Sequence, residues 1–222
     1  IDRCHDKDIL VGALTGTREH ALKHAKAGVD LLVVSGTEAG GHCGEISTMV
    51  VVPDVIDAMA AYKDVHVLAA GGIATGRQMA ACMAMGAAGA WCGSVWLTTV
   101  EAETTPTVKK KMLKAGPQNT VRSRSRTGKP TRQLQSAWTE AWHATSAPEP
   151  LPMPLQGILS RPPMDKIDRL AATGHAGAEA LATYYVGQAV GLMNQEKSAR
   201  SVVYEFMEDF ADAVERLSNT LE

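Results

Sequence analysis

The stretch Asp30-Leu-Leu-Val-Val-Ser-Gly-Thr-Glu-Ala-Gly-Gly-His-Cys-Gly44 decides how the chain is read. Its first half is apolar without alternation, as a strand buried on both faces of a parallel sheet requires. Its second half sets Gly36, Gly40, Gly41 and Gly44 around one histidine, His42. These glycines are expected to supply positive-φ positions and to let a flat ligand approach the backbone closely. An imidazole in such a bend can move a proton near neutral pH.

Outward from this stretch the same unit recurs, a short apolar run followed by a helical segment. Ile9 to Leu14 reads as a strand, and Thr17 as the N-cap of a helix to Ala27 that Gly28 stops. Leu31 to Ser35 is the second strand, and a helix is expected from Pro53, placed as a first-turn proline, to Tyr62. Val65 to Ala70 forms the third strand before Gly71-Gly72 and a helix over Arg77 to Met85. Ala90 to Cys92 forms the fourth strand before Gly93-Ser94. Units of this size fit a (β/α)8 barrel or a doubly wound sheet, and both place their chemistry on the rim where strands end.

Two of the strand ends suggest an anion cradle. Ala69-Ala-Gly-Gly-Ile-Ala-Thr-Gly76 follows a strand and opens a helix, and Trp91-Cys-Gly-Ser94 does the same about twenty residues on. Neither the GxGxxG of a dinucleotide fold nor the GK[ST] of a P-loop is present.

Residues 1–104 thus read as the βα portion, 105–183 as a mostly helical insertion, and 184–222 as a return segment with a closing helix. In that helix Val202, Val203, Phe206, Phe210, Val214 and Leu217 share a face, with Glu205, Glu208, Asp209 and Asp212 opposite. Arg122, Arg124 and Arg126 alternate, so a strand would present all three together, either to an anionic substrate tail or as a solvated basic edge. Trp138 and Trp142 stand one helical turn apart and are expected in a core. Glu38 is placed to orient the His42 ring or to brace its loop. His5, His20, His24 and His66 read as surface or strand-end residues, and His143 and His175 lack metal-ligand spacing.

The chain has 222 residues, 45% hydrophobic and 21% charged, the composition of a soluble globular protein. Its net charge of -2 argues against a nucleic-acid binder. No run is long and apolar enough to cross a membrane and no secretory pattern is seen, so a cytoplasmic location is expected. The cysteines at 4, 43, 82 and 92 have neither zinc nor disulfide spacing and are expected reduced, Cys43 as a small buried thiol.

Three stretches resemble the nitronate monooxygenase (2-nitropropane dioxygenase) family: Gly36-Thr-Glu-Ala-Gly-Gly-His-Cys-Gly44, Ala69-Ala-Gly-Gly-Ile73 with Gly76, and Gly86-Ala-Ala-Gly-Ala-Trp-Cys-Gly-Ser94. Flavin-dependent enoyl reductases share these motifs. The resemblance implies an FMN-binding (β/α)8 TIM barrel, of which this chain would be the C-terminal half, about four βα units. It also implies an inserted substrate domain, with the N-terminal half of the barrel lying in a longer protein. It implies that Ser35 and Gly40, with Gly41, border the flavin. Gly72, with Gly71, and the run Trp91, Cys92, Gly93 and Ser94 would hold its phosphate end. His42 matches the family's catalytic base. The family often has Gln at the positions of Ser35 and Trp91, so contacts there would come from the backbone. Tyr184, Tyr185 and Gln188 are further candidates for the flavin face.

The implied activity is oxidation of a small nitronate anion by O2 to a carbonyl compound and nitrite, with no metal, and with a homodimer compatible. The rivals are an NAD(P)H-dependent reductase of enoyl thioesters and a non-catalytic half-barrel.

Overall fold

Strands β1 (Gly12–Thr15), β2 (Leu31–Ser35), β4 (His66–Ala70) and β5 (Gly89–Trp91) lie parallel in that order, while the two-residue β3 (Gly41–His42) joins a different sheet. The computed structural model describes residues 1–220, which fall into two compact units. The first holds residues 1–38, Cys43–Cys92 and the stretch from Arg200 onward, and the second holds Ala39–His42 and Gly93–Ala199.

In the first unit each successive strand is added on the same side, so the sheet lacks the order reversal of a doubly wound fold. Leu32, Val33 and Val34 of β2 are all at most 3% exposed, which explains why this strand is apolar without alternation. β1 is an edge strand, and its Leu14 is exposed. β1 begins at Gly12 rather than at Ile9. The Asp30 carboxylate accepts from the Val11 backbone N–H at 2.7 Å and sits 2.9 Å from His5 Nε2, closing the ladder there and leaving Ile9 and Leu10 exposed. A single turn, α1 (Asp2–His5), precedes it.

Helix α2 (Arg18–Lys26) starts where its cap predicts. The Thr17 hydroxyl accepts from the His20 N–H at 3.2 Å, and Gly28 leaves the helix at φ +89°. Helix α3 (Thr48–Ala58) begins five residues before the expected start, with Pro53 inside it. Val50 and Val51 donate to the Ser47 carbonyl in its first turn. Val51, Val52 and Val55 are fully buried. Burial at about 1.5–3 kcal/mol for each of three valines outweighs the roughly 3 kcal/mol of an interior proline.

Helix α4 (Gly76–Ala84) packs against the closing helix α9 (Ala199–Ser218). A Cβ at Gly76 would fall 1.9 Å from the Phe206 carbonyl oxygen, so only glycine allows this approach. The contact face of α9 is narrower than its pattern suggests. Val202 and Ala213 are buried and Phe206 packs on the core, whereas Val203, Val214 and Leu217 are exposed. Asp209, expected on the outer face, instead accepts from the Arg77 backbone N–H and side chain at 2.7 and 2.8 Å.

The second unit contains α5 (Pro106–Lys114), α6 (Ala137–His143), α7 (Leu155–Ala172) and α8 (Ala176–Leu181). It also contains an antiparallel sheet, ordered β3, β7 (Thr131–Leu134) and β6 (Thr120–Ser123), where a mostly helical segment was expected. Its apolar core includes Val108, Met112, Leu134, Met164, Val186 and Val190, with Trp138 packed against it. The alternating arginines do not share a strand face, because β6 ends at Ser123 and residues 124–128 turn. Buried polar side chains hold that turn. Thr131 Oγ1 donates to the Ser123 carbonyl, Gln156 Nε2 to the Ser125 carbonyl and Ser160 Oγ to the Arg126 carbonyl, at 3.1, 2.7 and 2.6 Å. Carbonyls that a longer strand would pair are thus paired by side chains instead.

Candidate active site

The C-terminal ends of the parallel strands form a rim in the first unit. Ser35 pairs in register with Ala70, and Ala70 with Trp91, so Ser35, Gly71 and the Trp91-Cys92 end are neighbours along one edge. The Trp91 indole stands on this rim 52% exposed. Gly71 and Gly72 take φ of +103° and +73°, which a side chain tolerates poorly.

The glycines of the His42 loop divide by cause. Only Gly41 has a positive φ, +76°; Gly36, Gly40 and Gly44 do not, contrary to expectation. Gly36 and Gly40 are required by close packing. A Cβ at Gly36 would fall 2.2 Å from Thr48 Oγ1, and one at Gly40 would fall 2.8 Å from the Gly187 nitrogen.

Gly93 is different. Its φ is -110°, and a Cβ there would meet nothing within 4 Å. Neither packing nor backbone explains that glycine, whereas close approach by a bound group would. Beside it, the Ser94 hydroxyl accepts from the Gly187 N–H at 2.8 Å and keeps its own proton to donate.

Glu38 does not orient His42. Its carboxylate accepts from the Thr48 backbone N–H and from Thr48 Oγ1 at 2.8 Å, at the N-terminus of α3. The N-terminus of α4 is likewise occupied. Gln78 Oε1 accepts from Ala74 N–H, and Asp209 accepts from Arg77 N–H. An anion at this rim would therefore meet the strand-end turns rather than that helix end. The Ala74 and Arg77 N–H groups already have partners within the protein.

In the second unit His42 lies on β3, paired with Thr131 of β7. The residue is exposed, with Nε2 3.0 Å from Thr127 Oγ1. Partial burial of the ring, and secondarily the Lys129 ammonium, lower its pKa below the ordinary histidine value. The ring is neutral at pH 7 and able to accept a proton. Thr127 is a neighbour of the His42 ring that sequence reasoning missed; its only signal is a Thr-Gly pair, typical of a turn.

The other candidates are engaged elsewhere. Arg126 lies over the Tyr185 and Tyr184 rings at 4.5 and 5.8 Å. Arg124 donates to the Gly128 carbonyl and pairs with Glu149. Arg132 is buried and donates to Thr120 Oγ1. Burial, with Cys82 nearby, pushes the Cys92 thiol up to about 11, so it stays protonated at neutral pH. Cys43 is half-buried rather than buried, and none of the four cysteines is in a disulfide. Among the described residues no cluster of three or more His, Cys, Asp or Glu could hold a metal ion, and no helix is long and apolar enough to cross a membrane.

A parallel sheet with glycine turns at its strand ends defines a class of βα proteins that carry ligands on that rim. Within that class, residues 1–209 match the nitronate monooxygenase family model, and the chain belongs to this family. A Mycobacterium tuberculosis protein, provisionally named a monooxygenase, is 54% identical over the whole chain, which spans 58% of that relative. A Rhodococcus jostii hydroxy-methyl-oxo-octahydroindene-carboxyl-CoA dehydrogenase is 41% identical over 58% of this chain and 35% of its own length. The nitroalkane oxidase of Streptomyces ansochromogenes superposes with a TM-score of 0.82 at 29% identity, covering 98% of this chain and 62% of that one.

Proposed function

We propose that this chain belongs to an FMN-dependent enzyme that oxidises alkyl nitronates with O2 to a carbonyl compound and nitrite, with His42 as its base. In this reading the parallel strands are an arc of a (β/α)8 barrel, as their unreversed order suits. The observation that carries the reading is a neutral, exposed imidazole held by one polar side chain, in a family whose members are named for nitronate oxidation.

Gly93 fits close approach by a flavin nucleotide, since a Cβ there would meet nothing within 4 Å and its φ of -110° does not require glycine. Of the candidate residues, Ser35, Gly71, Gly72, Trp91 and Cys92 belong to the first unit and Gly40, Gly41, Gly93 and Ser94 to the second. FMN supplies the electron-accepting chemistry when bound. With a neutral nitroalkane His42 takes the proton from the carbon next to the nitro group and leaves the nitronate, and its neutral state at pH 7 provides a lone pair for that task.

A thioester reaction is the second reading, favoured by the CoA dehydrogenase relative. It needs cationic groups for an anionic carrier, and Arg124, Arg126 and Arg132 are already engaged inside the second unit.

The test loads the protein with FMN and measures nitrite release from a neutral primary nitroalkane, in the native protein and in His42→Ala. Loss of at least about a hundredfold in kcat/KM with flavin retained supports the reading. Full turnover in His42→Ala removes His42 as the base.

A further inference from the structure

The Thr127 hydroxyl oxygen lies 3.0 Å from His42 Nε2, 3.1 Å from the Lys129 carbonyl oxygen and 3.3 Å from the Lys129 backbone nitrogen. A threonine hydroxyl has one proton and two lone pairs. The Lys129 N–H takes one lone pair. If the ring is protonated at Nε2, it donates to the second lone pair and the hydroxyl donates to the Lys129 carbonyl. All three contacts are then hydrogen bonds. If Nε2 is bare, ring and carbonyl compete for a single proton and one goes without.

We infer that Thr127 is a positioning residue that holds His42 in its Nε2–H tautomer, leaving Nδ1 as the atom that accepts the substrate proton. This deepens the proposed function, since it rests on His42 being the base.

Both partners are fixed by the same small sheet. His42 and Thr131 are paired across β3 and β7, and Thr131 and Ser123 across β7 and β6. Around Thr127, the Gly128 N–H donates to the Arg124 carbonyl at 2.9 Å and Arg124 Nε to the Gly128 carbonyl at 3.0 Å. On its other side the Arg126 carbonyl accepts from Ser160, and the Arg126 guanidinium rests on two tyrosine rings. A hydroxyl in so constrained a turn has little freedom to follow the ring, so the ring proton follows the hydroxyl. The lowered pKa of His42 keeps the ring neutral, which makes the choice of tautomer matter.

The experiment is a long-range proton–nitrogen correlation spectrum of the 15N-histidine-labelled protein at neutral pH, with the His42 ring signals assigned by their loss in His42→Gln. The native protein should show Nε2 as the protonated nitrogen and Nδ1 as the bare one, with almost no exchange between forms. Thr127→Val should raise the Nδ1–H fraction about fivefold, toward the mixture of an unconstrained ring, and Thr127→Ser should restore the native pattern. A native ring in the Nδ1–H form or in a mixture overturns the inference, as does a Val variant indistinguishable from native. If Thr127→Val fails to fold, the native spectrum and the Ser variant still decide. The readout needs neither flavin nor turnover. A protein with the Nε2–H ring that oxidises no nitronate overturns the functional reading and leaves the tautomer assignment standing.

Discussion

Glu38 and Thr48 are joined at the base of the rim. The carboxylate accepts from both the backbone N–H and the hydroxyl of Thr48, and the same hydroxyl contacts the Gly71 carbonyl oxygen at 3.1 Å. One carboxylate therefore caps the start of α3 and ties the loop after β2 to the loop after β4. The Glu38 Cβ also lies 3.1 Å from where a Cβ on Gly72 would stand. The rim's shape depends on this brace.

Glu38→Ala should cost about 1–2 kcal/mol, read as a lower urea midpoint with an unchanged slope. Glu38→Gln should recover part of that loss. An Ala variant as stable as the native protein would show that the brace carries no weight.

Gly40 and Gly93 should separate packing from ligand. Gly40→Ala drives a methyl into the Val186-Gly187 backbone and should destabilise by about 1–3 kcal/mol. Gly93→Ala meets no protein atom and should leave stability within about 0.5 kcal/mol. If Gly93 borders FMN as proposed, the same Gly93→Ala should weaken FMN binding roughly tenfold in a flavin fluorescence titration.

Lys129 disfavours the imidazolium form of His42, and burial contributes more. Lys129→Met should therefore raise the His42 pKa toward, but not up to, its ordinary value. The acid limb of the kcat/KM profile should move to higher pH by the same step. An unmoved limb would mean that Lys129 does not act on the ring. The stability sign runs the same way: the folded state disfavours the protonated ring, so this contribution weakens as pH falls through the histidine range.

Asp209 has its pKa lowered chiefly by the hydrogen bond from Arg77. Its contribution to stability is present above the unfolded carboxylate value, about 3.9, and is lost as pH falls through the lower folded value. Arg77→Ala should move the acid-unfolding midpoint to higher pH in a circular dichroism titration. An unmoved midpoint would show that the pairing is without consequence for docking α9.

Much of the first unit is legible in the sequence because its signals are local. The apolar run Leu31–Ser35, the Thr17 cap and the Gly28 stop each act within a few residues. Pro53 misled because long-range burial of Val51, Val52 and Val55 overrode a local helix-start rule. Asp209 misled for the same reason: an acidic residue on an amphipathic helix reads as solvated until a partner 132 residues away is known. Arg122, Arg124 and Arg126 do not share a face because the chain turns after Ser123, where Thr131, Gln156 and Ser160 satisfy its carbonyls from outside the segment. His42 was visible through its glycines, but Thr127, 85 residues distant, carried no signal tying it to His42.

The most direct test of the central claim is anaerobic stopped-flow spectroscopy of the FMN-loaded protein mixed separately with an alkyl nitronate and with NADPH. Rapid bleaching of the flavin band by the nitronate, slowed in His42→Ala when the neutral nitroalkane is used instead, is the predicted result. Bleaching by NADPH with none by the nitronate would contradict the account.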